Sequence, residues 1–393
     1  MIYVLAAALF VFLCGAKFVK SGEFNSDYMS KDTTGAINGI FVLLVFMCHI
    51  SGYMKLGGSS DTIWLDLKSW LGQLVVVTFL FYSGYGMMCS IMKKGTPYVK
   101  GIFRRRFLSL FAHFDIAVLL FLLMNLALGI KTKTRTTLLA FTTWESIGNS
   151  NWYITAVLCL YLILIVSFLI FRKHHIPGLI AMTVLTCGLA FALIKVGKPA
   201  WYYNTLILFP LGMWYAYLKK YIDKFVMKNN YIYMLCITVA VAAFVVGHKY
   251  RSAGLPVYWA WASAFMLIVV LASMKIKIGN PALSMLGKHV FSVYILQRIP
   301  MTIFKRLGLV NNNLNYFILC FAATLLMAIV FDALMKKLDA KIFTPKAEGV
   351  NKYSKAPAGI SSRPGAFYVL NYFFLESLVC LCCKVGAERS GKS

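Results

Sequence analysis

Apolar runs about as long as a bilayer is thick recur along this chain, and short basic segments separate them. A membrane-crossing helix needs about 20 mainly apolar residues. Runs of that kind lie near 2–16, 36–53, 70–92, 107–129, 152–171, 179–196, 203–218, 231–247, 257–274, 290–304 and 314–335. With 60% of its 393 residues apolar and only 13% charged, the chain lacks the polar surface of a water-soluble domain. Disordered, fibrous and disulfide-stapled secreted classes are excluded on the same grounds. The expected fold is all-α, a polytopic bundle of about 10–11 membrane spans.

Forty Lys and Arg stand against 13 Asp and Glu, a net charge of +27. In a soluble protein this would suggest nucleic acid, but here the cations sit at the ends of apolar runs. No basic segment is interleaved with aromatics away from those ends, so nucleic acid is not an expected partner. Lys93, Lys94, Lys100 and Arg104–Arg106 fill one loop, and Arg172 and Lys173 mark a second. Lys219, Lys220, Lys224 and Lys228 mark a third, Lys275, Lys277 and Lys288 a fourth, and Lys336 and Lys337 follow the last span. Two spans separate each cluster from the next, so all five fall on one side, which the positive-inside rule makes cytoplasmic. Lys131, Lys133 and Arg135 are the exception.

The chain divides into an extra N-terminal span with a cytoplasmic linker (1–32), a membrane domain (33–339), and a tail (340–393). The first run lacks a basic leader and a small-residue cleavage site and reads as a retained helix. In the tail, 366–383 is apolar but contains Asn371 and Glu376, which favours an interfacial or loosely ordered segment over a span. Its Cys380, Cys382 and Cys383 are the only clustered members of ten cysteines, and none has zinc-site spacing. No metal is expected.

Polar groups inside spans are costly and become functional candidates by default. His49 leads, near the outer end of the second run. Asn38 precedes it by eleven residues, which returns it to within about 20° of the same helix face, roughly 16 Å away along the axis. Ser83 and Gly84 sit in the third run, where small residues admit a close neighbour or a cavity. Arg104, Arg105 and Arg106 form a guanidinium cluster suited to phosphate, or a topology anchor. His113 and Asp115 are two residues apart and face different ways. Asn149-Ser-Asn-Trp152-Tyr153 combines aromatics and amides, as a sugar site or an interfacial belt would. Tyr294 and Arg298 are i,i+4 neighbours, with Gln297 between them.

In order, these pieces resemble the acyltransferase 3 family of integral membrane O-acyltransferases. The resemblance rests on Asn38-Gly39-Ile40 with His49, Gly72 with Phe79 and Ser83-Gly84, Arg104-Arg105-Arg106, and Trp152-Tyr153 with Tyr161. It continues with Phe209-Pro210-Leu211-Gly212 and Gly287-Lys288 with Ser292 and Tyr294, and spans roughly 33–335. Asn38 stands where the family usually has Arg or Lys, Ser109 where it has a further Arg, and Gln297 where it commonly has His. The resemblance implies transfer of an acyl group, commonly acetyl, from cytoplasmic acetyl-CoA or another acyl-CoA to a hydroxyl of a cell-surface or exported carbohydrate. No permanently bound cofactor is implied. His49 takes the catalytic position, Asn38 and Arg104–Arg106 the donor side, and Ser83, Trp152, Tyr153, Tyr294 and Arg298 the acceptor side or cavity. The expected location is a multi-pass protein of a cell membrane, by resemblance the bacterial cytoplasmic one. Two other readings share the span count: a transporter or flippase for a lipid-linked sugar, and a non-catalytic relative of the enzyme.

Overall fold

A computed structural model describes residues 1–172 and 174–343. The tail with Asn371, Glu376 and the cysteine cluster lies outside the described residues. In chain order the helices are α1 (Ile2–Cys14), α2 (Lys31–Ile50), α3 (Thr62–Leu71), α4 (Val77–Lys94), α5 (Thr96–Ile102), α6 (Ser109–Ala127), α7 (Thr134–Phe141) and α8 (Trp152–Phe171). There follow α9 (His175–Lys195), α10 (Leu208–Val226), α11 (Asn230–Tyr250), α12 (Leu255–Lys275), α13 (Pro281–Lys288), α14 (Val290–Leu296), α15 (Arg298–Arg306) and α16 (Asn313–Ile342). The bundle is all-α and polytopic. Among the described residues, eight helical stretches are long and apolar enough to cross a membrane.

Three of the eleven expected spans take a different form. The first run makes only the 13-residue α1, about 20 Å at 1.5 Å per residue, because the chain then turns into a strand. The run at 203–218 becomes α10, whose second half carries Lys219, Lys220, Asp223 and Lys224 and is too polar for the bilayer core. The run at 290–304 is broken between α14 and α15 at Gln297. Pro300 supplies the reason. Its ring and missing N–H oppose a helical bond to the carbonyl four residues back, that of Leu296, the last residue of α14. The expected span at 70–92 also bends. Gly72, at φ 47°, ends α3, and a 3-10 turn over Gly72–Val76 redirects the chain into α4.

The linker after α1 is a strap across the basic end of the bundle. Strand β1 (Ala16–Phe18) pairs antiparallel with β2 (Ile276–Ile278). The Asn25 amide donates to the Ser273 carbonyl at 3.0 Å, and Lys275 donates to the Glu23 carbonyl at 2.6 Å. Tyr28, fully buried, bonds the Tyr215 hydroxyl at 2.8 Å and the Asp223 carboxylate at 2.5 Å. Burial raises the Tyr28 phenol far above its ordinary pKa, with the charges nearby acting the same way. It therefore stays a hydrogen-bond donor.

Two glycine crossings hold the interior together. A Cβ on Gly39 of α2 would strike the Leu283 carbonyl of α13, and one on Gly287 would strike the Gly35 carbonyl of α2. Gly84 of α4 meets the Phe209 carbonyl of α10 in the same way, and Gly212 meets that of Phe81. Each contact is reciprocal, as in close-packed membrane helix pairs. All of these glycines except Gly35 belong to the motifs singled out in the sequence.

Candidate functional site

Helix α2 begins at Ser30, whose hydroxyl accepts the Thr33 N–H at 3.2 Å, with Asp32 in the first turn. It runs unbroken to Ile50, so Asn38 and His49 share one rigid element. Both are half-buried, and each keeps a buried atom without a hydrogen-bond partner, Asn38 Oδ1 and His49 Nδ1. Unspent polar atoms of this kind call for an explanation, and a ligand is one.

A chain of rings surrounds His49. Its imidazole lies 6.1 Å from the Tyr294 ring, centroid to centroid, and Tyr294 lies 5.5 Å edge-on from Tyr153. Tyr153 in turn meets Trp152 at 5.8 Å and Phe79 at 6.3 Å. The break between α14 and α15 places Gln297 and Arg298 three and four residues after Tyr294, whose ring faces the imidazole, and Gln297 Nε2 donates to the Tyr294 carbonyl at 3.0 Å. Gln297 Oε1, Arg298 Nε and the Tyr294 hydroxyl are buried without partners. His49, Trp152, Tyr153, Tyr294 and Arg298 are therefore brought together from α2, α8 and the broken segment. Irregular backbone at this depth is tolerated where it lines a cavity.

The remaining sequence candidates lie toward the basic end. Arg104, Arg105 and Arg106 are exposed on a π-helical turn, Phe103–Leu108, between α5 and α6. π turns interrupt helices most often at functional places. Arg104 donates to the Ile342 carbonyl at 2.8 Å. Ser83 lies on α4 one turn after Phe79, whose ring meets Tyr153 at 6.3 Å.

Two His–carboxylate pairs were not anticipated. On α6, Ser109 Oγ donates to Asp339 of α16 at 2.8 Å, and His113 Nε2 lies 3.0 Å from the same oxygen. Asp115 faces elsewhere, with Oδ1 unpartnered. Two turns along α16, Asp332 accepts from Ser292 and lies 2.5 Å from His289 Nδ1. In neither group does serine bond histidine. Both bond the carboxylate, so these are clasps between helices and not nucleophilic triads. An acid inside the apolar run 314–335 was the signal that could have found Asp332.

The amides ahead of Trp152 bond the loop itself, except that Asn149 Nδ2 is buried without a partner. Asn151 Nδ2 donates to the carbonyls of Thr143 and Glu145 at 2.7 and 3.0 Å and to the Tyr202 hydroxyl at 3.0 Å. Asn149 Oδ1 accepts the Ile147 N–H at 3.0 Å. Beside them, Lys198 lies over the Trp144 ring at 3.7 Å. Burial lowers the Lys198 pKa, with Glu145 opposing, and burial raises that of Tyr202. These residues shape the loop ahead of the Trp152 and Tyr153 rings.

A family model described as an acyltransferase domain matches residues 36–332. Neither a curated protein nor a solved structure matches the chain.

Proposed function

The chain belongs to the acyltransferase 3 family, and from that premise we propose that it transfers an acyl group, acetyl in the simplest case, from a cytoplasmic acyl-CoA to a carbohydrate hydroxyl on the opposite side of the membrane. The single observation that carries this reading is His49, an imidazole with an unspent ring nitrogen, set against the Tyr294 and Tyr153 rings beside the break that bears Gln297 and Arg298.

In the proposed reaction neutral His49 takes the proton of the acceptor hydroxyl as its oxygen attacks the thioester carbonyl. The C–S bond breaks, the new C–O ester bond forms, and the proton passes from His49 to the departing thiolate. Aromatic rings at the cavity wall suit the faces of a sugar. At the basic end, Arg104–Arg106 supply exposed guanidinium groups for the phosphates of the nucleotide carrier. Asn38, partway along the same helix, offers an amide to the path between them.

The test is transfer of radiolabelled acetyl from acetyl-CoA to a cell-surface glycan by the purified protein in lipid nanodiscs. His49→Ala is expected to lower the rate by about 10²–10⁴-fold, the usual weight of a general base, while the variant inserts and elutes as the parent does. Near-normal transfer by that variant would remove His49 from the chemistry. No transfer by the parent to any glycan would overturn the reading.

A further inference from the structure

Helix α3 carries a tryptophan near each end. Trp64, fully buried, donates its indole N–H to Ser51 Oγ at 2.8 Å, just beyond the end of α2. Trp70 lies face to face with the His248 imidazole near the end of α11, centroids 3.7 Å apart and planes within 6°. The helix therefore bridges from α2 to α11 at the end of the bundle that holds His49. Between the two anchors sits Lys68, half-buried, on the helix that packs over the end of α2 next to His49.

A second cation stands at the break. Arg298 is half-buried, four residues after Tyr294, whose ring lies 6.1 Å from the His49 imidazole. Among the described residues neither Lys68 nor Arg298 forms an ion pair. A charge at membrane depth is costly and is ordinarily paired. Two half-buried cations thus stand at the His49 end of the bundle with no ion-pair partner among the described residues. The buried, unpartnered Arg298 Nε, the Tyr294 hydroxyl (3% exposed) and the carbonyl oxygen of fully buried Gln297 supply unspent hydrogen-bonding atoms beside them.

We propose that the acceptor is an acidic sugar, whose carboxylate pairs with Arg298 and is drawn in by Lys68, so that a neighbouring hydroxyl is presented to His49. This rests on the acyltransferase reading and names its acceptor class. A guanidinium fork matches a carboxylate in two parallel hydrogen bonds, which fixes orientation as well as affinity. Lys68 acts at longer range, as a steering charge at the mouth.

The experiment uses the full chain in nanodiscs, with oligosaccharides of glucuronate and galacturonate and their methyl esters, which keep the shape and lose the charge. Binding is measured by calorimetry without donor, and acetyl transfer is measured separately. The acids are expected to bind and react about tenfold or more better than their esters, as a charge-assisted pair requires. Arg298→Gln should remove that preference, and Arg298→Lys should retain much of it. Lys68→Gln should reduce it a few-fold, and less so at high salt. Equal binding of acid and ester overturns the proposal. So does displacement of the bound acid by acetyl-CoA, which would assign the anion site to the donor. An Arg298→Gln variant that loses kcat equally for both acceptors, with KM unchanged, would likewise overturn it. Acid-selective binding without transfer would instead count against the acyltransferase reading alone.

Discussion

Asn38 stands where the resemblance implies an Arg or Lys. It is half-buried on α2, next to Gly39, with Oδ1 unpartnered. A hydrogen-bonding role survives the departure, but long-range attraction for an anionic donor does not. Asn38→Arg is expected to insert normally and to lower the apparent KM for acetyl-CoA a few-fold, on the order of 1 kcal/mol for a partly screened charge. Arginine is long enough to turn its head toward the basic end. Initial rates across an acetyl-CoA series decide the point, and a higher KM would show that the donor path is fitted to an uncharged residue. The clasp residues make a separate expectation. Asp332→Ala leaves both His289 and Ser292 without their acceptor, at a cost of about 1–3 kcal/mol. Thermal unfolding in detergent should show the loss, and an unchanged midpoint would mean that water replaces the carboxylate there.

At the scale of elements, the motif glycines act through backbone contact. Gly212 of α10 admits the Phe81 carbonyl of α4 where a side chain would stand, whereas Gly86 of α4 has nothing within 4 Å. The two positions make a matched pair. Gly212→Leu must push α10 from α4 and is expected to cost about 1–3 kcal/mol or more by overpacking. Gly86→Leu should change stability little. Thermal midpoints of the two variants test this, and equal effects would contradict the reciprocal crossing. The same crossings bear on the site, because Gly39 and Gly287 seat α13 against α2. The break that follows, set by Pro300, then carries Tyr294, Gln297 and Arg298 to His49.

The whole molecule joins two polar regions through an apolar interior, an exposed guanidinium cluster at the basic end and the His49 imidazole with its surrounding rings toward the other. If the first serves the donor, replacing Arg104, Arg105 and Arg106 together by Gln should raise the KM for acetyl-CoA about tenfold, the weight of a lost charge-assisted phosphate contact. Acceptor KM should be unchanged. The triple change also removes topology-setting charge, so cysteine labelling must first confirm insertion. Unaltered donor KM in correctly inserted protein would leave the cluster as an anchor.

Much of this molecule was legible in its one-dimensional pattern, because the bilayer imposes rules that act along the chain. Apolar length determined the all-α bundle, the spacing of the basic clusters suggested its orientation, and an eleven-residue interval put Asn38 and His49 on one face of α2. What the pattern left open were relations between residues far apart. Nothing local indicates that His113 finds Asp339, 226 residues away, or that α3 crosses from α2 to α11. Those pairings depend on which helix faces meet once the glycine crossings and the Pro300 break have set the angles. Helix periodicity orders side chains around a single axis. Only packing in three dimensions decides which axes become neighbours, and that decision set the Tyr294 ring beside His49.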